Sequence, residues 1–157
     1  MRISSAVVVA IVFQFLSPMA ASAADAPNGF RDLAWGASPG KQLNKEPAPY
    51  AEDIALYRPR PGKPLPPLLK VPVAEEVYSF SKGRFFSASA FLDGKENFGK
   101  IKAALTETYG QPSATDERKN LRIWKWPGSP VEIRLSYNEK YSRATVTYVN
   151  TRMDTSR

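Results

Sequence analysis

The four residues Pro127-Gly128-Ser129-Pro130, set between two stretches of alternating side chains, constrain the fold of this chain more than any other feature. A four-residue turn at that point puts Trp126 opposite Val131. The register can then be checked against itself. Trp124 falls opposite Ile133 and Arg122 opposite Leu135 on one face, while Lys125 meets Glu132 on the other, so apolar groups and opposite charges each find sensible neighbours. Continued through a loop over residues 138–143, the same register pairs Tyr137 with Ala144, Leu135 with Val146 and Ile133 with Tyr148. The C-terminal part is therefore predicted to be a three-stranded antiparallel meander with Trp124 and Trp126 on its apolar side.

An apolar sheet face needs a cover. Residues 96–109 supply one, because Phe98, Ile101, Leu105 and Tyr109 share a helical face while Lys100, Lys102 and Glu107 lie elsewhere, and Gly110 and Pro112 then end the helix. Upstream, residues 73–82 and 84–92 are strand-like runs joined by a tight turn at Ser81-Lys82-Gly83. The expected class is α+β, a mainly antiparallel sheet with its C-terminal meander covered by one main amphipathic helix.

Most of the 14 prolines lie between Pro27 and Pro72, whereas only Pro112, Pro127 and Pro130 follow Val73. The compact part should lie mostly after residue 70. Before it, residues 30–35 read as a short strand, Ser38-Pro39 as the start of a short helix through about residue 44, and residues 54–58 as another strand. Residues 59–72 predict an extended, polyproline-type connector laid over the surface.

Residues 1–23 read as a signal peptide, with Arg2 as the positive start, an apolar run from Ala6 to Phe15 broken only by Gln14, and Ala21-Ser22-Ala23 as the cleavage site. The run is shorter than the roughly 20 residues a spanning helix needs. The expectation is one α+β domain over residues 24–157, exported and periplasmic, with no transmembrane segment after cleavage. The formal net charge is +7, of which only Arg2 belongs to the leader, so the exported part is basic. Export disfavours nucleic acid as a partner and points to an envelope protein or an anionic envelope component.

The chain has no cysteine and no histidine, which excludes zinc fingers, thiolate nucleophiles, Ser-His-Asp triads and disulfides. No cofactor or metal is expected. Ser79-Phe80-Ser81-Lys82 fits S-x-x-K and Ser136-Tyr137-Asn138 follows it, but a strand end turns Ser79 and Lys82 to opposite faces. Glu75, Glu76, Glu96, Glu107, Glu132 and Asp53 show no spacing that fixes a catalytic pair and read as solvated surface charge, while Glu132 already has Lys125 as a partner. Asp93-Gly94-Lys95-Glu96 lacks the regular oxygen spacing of a calcium loop. Trp124 and Trp126 read as core rather than as a stacking platform. The sheet side opposite them, carrying Arg134, Lys125, Ser136, Thr145 and Thr147 beside Ile123 and Val149, is the expected binding surface unless the proline-rich segment covers it.

Phe30-x4-Trp35-Gly36-x-Ser38, Tyr78-x-Phe80-x2-Gly83-Arg84-Phe85-Phe86, Leu105-x3-Tyr109-Gly110-x-Pro112 and Trp124-x-Trp126 leading into Val131-x-Ile133-x-Leu135-x-Tyr137 together resemble a group of small exported bacterial proteins of unknown function. The Gly-x-Pro segment followed by a tryptophan strand is also similar to small outer-membrane assembly lipoproteins, which implies helices packed on an antiparallel sheet. This chain departs from those in lacking the lipidated cysteine. Neither resemblance implies catalytic residues. The functional expectation is a non-catalytic binding or accessory protein of the bacterial cell envelope, with a small exported hydrolase using carboxylates or a Ser-Lys pair, and an inhibitor of an acidic secreted enzyme, as alternatives.

Overall fold

The computed structural model describes residues 24–47 and 51–153, so the leader expected over residues 1–23 lies outside the described residues. The chain is α+β. Two short strands, β1 (Gly29–Phe30) and β2 (Leu33–Ala34), pair with each other, and β3 (Leu43–Lys45), β4 (Ile54–Pro59), β5 (Glu75–Ser81) and β6 (Arg84–Asp93) follow. Helix α1 (Lys95–Tyr109) precedes β7 (Ala114–Asp116), β8 (Leu121–Lys125), β9 (Val131–Asn138) and β10 (Arg143–Asn150). The last eight strands form one sheet in the order β3-β4-β5-β6-β10-β9-β8-β7, antiparallel throughout. Both edge strands are three residues long, which leaves little unpaired edge to template another chain.

The meander follows the sequence register: Arg122 faces Leu135, Trp124 faces Ile133, Lys125 faces Glu132, and β10 pairs Ala144 with Tyr137, Val146 with Leu135 and Tyr148 with Ile133. The β8–β9 ladder stops at Lys125 and Glu132, one pair short of the expected Trp126–Val131. The β5–β6 hairpin turns on Lys82 and Gly83, with φ of 49° and 76°, the paired positive φ of a type I′ turn. Its ladder holds one irregularity. Ser79 faces Ser87 but Phe80 faces Phe85, so Phe86 is an extra residue, a bulge. The bulge shifts the alternation by one residue, so Phe85 shares the inner face with Ala88, Ala90 and Leu92, while Phe86 turns to the far face.

Phe85 joins the main core with Phe80, Ala88, Ala90, Leu92, Ile133, Leu135 and Val146. Helix α1 packs Ile101 and Leu105 onto β6, β10 and β9, and Phe98 stacks on Tyr137 with centroids 4.9 Å apart. Gly110 takes φ 81° and donates to the Thr106 carbonyl, closing the helix where the sequence places its stop. On the far face Phe86 packs with Ile54 and Val149 in a smaller cluster, so Val149 is buried there rather than part of an open surface.

The region before residue 73 departs from expectation. Residues 30–35 are not one strand: Gly29–Phe30 and Leu33–Ala34 pair as a short hairpin, in which Gly29 is required because a Cβ there would meet the Leu33 carbonyl oxygen at 2.1 Å. No helix forms over residues 38–44. The Gly36 amide donates to the Phe85 carbonyl at 2.8 Å and the Phe85 amide to the Ala37 carbonyl at 2.9 Å, so the chain entering the expected helix is tied to β6 instead. Leu43 is then buried as part of β3. Nor do residues 59–72 merely cross the surface: Leu68 and Val71 are buried in the main core beside Phe30 and Leu33. This segment covers the same sheet face as the helix.

Candidate functional site

The five residues expected to form a binding surface share the sheet face opposite α1. Thr145 faces Ser136 and Phe91, Thr147 faces Arg134 and Ser89, and Ile123 faces Arg134. Thr147 Oγ1 and Ser89 Oγ lie 2.9 Å apart. Arg134 Nη2 is 2.7 Å from Glu132 Oε2, and Lys125 Nζ is 3.0 Å from Glu132 Oε1. A second set lies on the same face, where Glu75 pairs with both Arg58 and Arg143, Arg58 also with Glu46, and Arg143 also with Asp93. Nearly every cation on this surface is thus answered by a carboxylate. Half-buried Val77, Phe91 and Ile123 share this face.

Burial raises the Glu132 carboxyl, but hydrogen bonds and charge from Arg134 and Lys125 outweigh it and hold the group below its ordinary value of 4.5. A depressed folded-state pKa adds stability that is complete above the ordinary value and is lost as pH falls through the folded one. The double variant K125Q/R134Q should therefore lose about 1 kcal/mol or less at neutral pH. Urea unfolding should show that difference shrinking on acidification below 4.5. A difference that grows in acid contradicts the assignment.

The reactive constellations weighed from the sequence are engaged in structure. Lys82 Nζ lies 3.6 Å from Asp53 Oδ2 in the turn, and no hydrogen bond joins it to Ser79 among the described residues. At the Asp93–Glu96 corner, Arg143 Nε donates to Asp93 at 2.8 Å and Lys100 Nζ is 2.6 Å from Glu96. Among the described residues no three His, Cys, Asp or Glu side chains gather as a metal site. Trp124 is buried as expected, whereas Trp126 is half-buried at the rim, edge-on to Tyr109 at 5.6 Å and donating to the Ala24 carbonyl.

One acid departs from the solvated reading. Glu76 points to the covered face with Tyr78 and Phe80, and its side chain is only 2% exposed. Its Oε1 accepts from Arg31 Nε at 3.0 Å and from Nη2, and its Oε2 accepts from the Tyr78 hydroxyl at 2.8 Å. Burial, and after it the Glu76 charge, push the Tyr78 phenol well above its ordinary value, so it remains a donor. Arg31 also donates to the carbonyls of Pro67 and Pro66, tying the proline-rich segment to the sheet. It does so from the β1–β2 turn with φ 55°, a left-handed conformation that a non-glycine residue keeps only when its surroundings hold it.

Beside this triad lies a cleft of about 650 Å³, for which no local sequence pattern stands. Leu33, Leu43, Leu65, Pro64 and Tyr78 are among its walls, and Arg60, Lys63 and Asp32 line it as well. The sequence did hold a signal: alternation with Tyr78 and Phe80 puts Glu76 on the inner face, where an acid must find a partner. The partner itself sits 45 residues away and no local pattern reveals it. Among the described residues no helix is long and apolar enough to cross a membrane. No known family model, curated protein or solved structure matches the chain.

Proposed function

We propose that the chain is an exported, non-catalytic binding or accessory protein of the bacterial cell envelope, docking a partner protein on the sheet face that carries Lys125, Arg134, Ser136, Thr145 and Thr147. The observation that carries this reading is the pairing of charge on that face. Lys125 and Arg134 share Glu132, and Arg58 and Arg143 share Glu75, so little unbalanced charge is left to attract a polyanion. What remains is a stiff antiparallel surface mixing hydroxyls, fixed ion pairs and half-buried apolar side chains. Such a mixture suits a protein surface better than a lipid head group or an acidic polysaccharide.

Photo-crosslinkers placed at Ser136 and Thr145, and as controls at the exposed helix positions Lys100 and Glu107, test it in intact cells. The sheet positions should capture a discrete protein adduct that survives about 0.5 M salt, where screening reaches only a few ångströms. The helix positions should not. Equal capture from both faces, or binding only to anionic vesicles that high salt abolishes, would remove the proposal.

A further inference from the structure

The cleft beneath the proline-rich segment has a floor and a rim of different chemistry. On its floor the polar groups are already used: Arg31 is bonded to Glu76 and to the Pro66 and Pro67 carbonyls, and the Tyr78 hydroxyl is given to Glu76. That floor offers a ligand an apolar surface. Arg60 and Lys63 differ, because both line the cleft, both are exposed, and neither has an ion-pair partner among the described residues. Among the described residues lining the cleft, Asp32 is the one acid without an ion-pair partner, which leaves the cleft with a surplus of positive charge. The walls are preformed. Leu68 and Val71 anchor one end of the proline segment in the core, Arg31 holds it at Pro66 and Pro67, and the Arg60 amide bonds the Gln42 carbonyl at 2.9 Å. A ligand entering such a cleft loses little affinity to ordering the protein.

From these observations we infer that the cleft binds a small amphiphilic anion, an apolar chain ending in one carboxylate, with Arg60 and Lys63 meeting the carboxylate and Leu33, Leu43 and Leu65 the chain. The volume lies within the range of small-molecule sites. Glu76 and Tyr78 belong to the helix-covered side of the sheet, whereas Lys125 and Arg134 belong to the opposite face. The inference therefore stands or falls independently of the proposed protein-docking surface.

Calorimetric titration with dodecanoate, dodecanol and acetate, each below any micellar concentration, tests the inference. Dodecanoate should bind one per chain, dodecanol roughly tenfold more weakly, and acetate not measurably. The double variant R60Q/K63Q should lose roughly tenfold in dodecanoate affinity, D32N should gain roughly two- to fivefold, and K125Q/R134Q should be unchanged. R60Q/K63Q replaces exposed, unpaired side chains, so its unfolding midpoint should equal that of the parent. Amide chemical-shift changes on adding dodecanoate should centre on Leu33, Leu43 and Leu65. Equal binding of the alcohol, full affinity in R60Q/K63Q, loss in K125Q/R134Q, or shifts centred elsewhere would each overturn the inference.

Discussion

Trp124→Ala is expected to lower stability by on the order of 3–5 kcal/mol, enough to reduce Tm by about 10 °C or more in a domain of this size. The indole is 2% exposed and sits on the inner face opposite Ile133, so its removal leaves a cavity that stiff neighbouring strands cannot fill. It also donates Nε1–H to the Gly110 carbonyl at 2.9 Å. Gly110 closes α1, so this one side chain ties the C-terminal end of the helix to the meander it covers. Trp124→Phe separates the two contributions. It keeps most of the apolar area and loses the hydrogen bond, and should cost about 1–3 kcal/mol. Trp126→Ala should cost distinctly less than Trp124→Ala, because that indole is only half-buried and its hydrogen bond to the Ala24 carbonyl is an exposed one. Chemical denaturation of the three variants checks the order. If Trp126→Ala matched Trp124→Ala, the meander's core would not be centred where the register puts it.

The meander and its helix were legible because each carries its constraint locally. Trp124, Ile133, Leu135, Val146 and Tyr148 alternate within strands long enough to fix parity, and the Pro127–Pro130 segment leaves little freedom in the turn between β8 and β9. The bulge at Phe86 was not legible, since two adjacent phenylalanines satisfy either parity until the second cluster of Ile54 and Val149 claims one of them. The segment from Ser38 misleads for a different reason. Ser38-Pro39 is a fair helix start by local chemistry, but the backbone of Gly36 and Ala37 finds its hydrogen bonds on Phe85, far along the chain. Two-residue strands such as β1 and β2 have no periodicity to read at all. The site divides in the same way. Lys125 and Glu132 were paired by register, and the inner side of β5 was implied by alternation, whereas Arg31, Arg60 and Lys63 reach the cleft only through the path of the chain between them.

Breaking the Arg31–Glu76 pair should have the second large effect. The two side chains are 20% and 2% exposed, so removing the guanidinium leaves a carboxylate inside the fold with only the Tyr78 hydroxyl to bond it. Leaving one member of a buried pair uncompensated costs about 3–5 kcal/mol, and Arg31→Ala also strips the proline segment of its bonds at Pro66 and Pro67. Glu76→Gln should cost less than Arg31→Ala, since the amide oxygen still accepts from Arg31 while the bonds to the proline carbonyls survive. The double variant Arg31→Met with Glu76→Leu gives the decisive comparison. If the pair serves mainly to satisfy charges that the fold has already buried, replacing both with apolar groups should recover much of the loss. Limited proteolysis within residues 59–66 adds a readout specific to the segment: cleavage should rise in Arg31→Ala and stay raised in the double variant, because neither can bond the Pro66 and Pro67 carbonyls. Restored stability with persistent cleavage would show that the salt bridge satisfies the core while the guanidinium separately holds the wall of the cleft. Unchanged cleavage in both variants would mean that Leu68 and Val71 alone anchor the segment, and the preformed wall would no longer depend on Arg31.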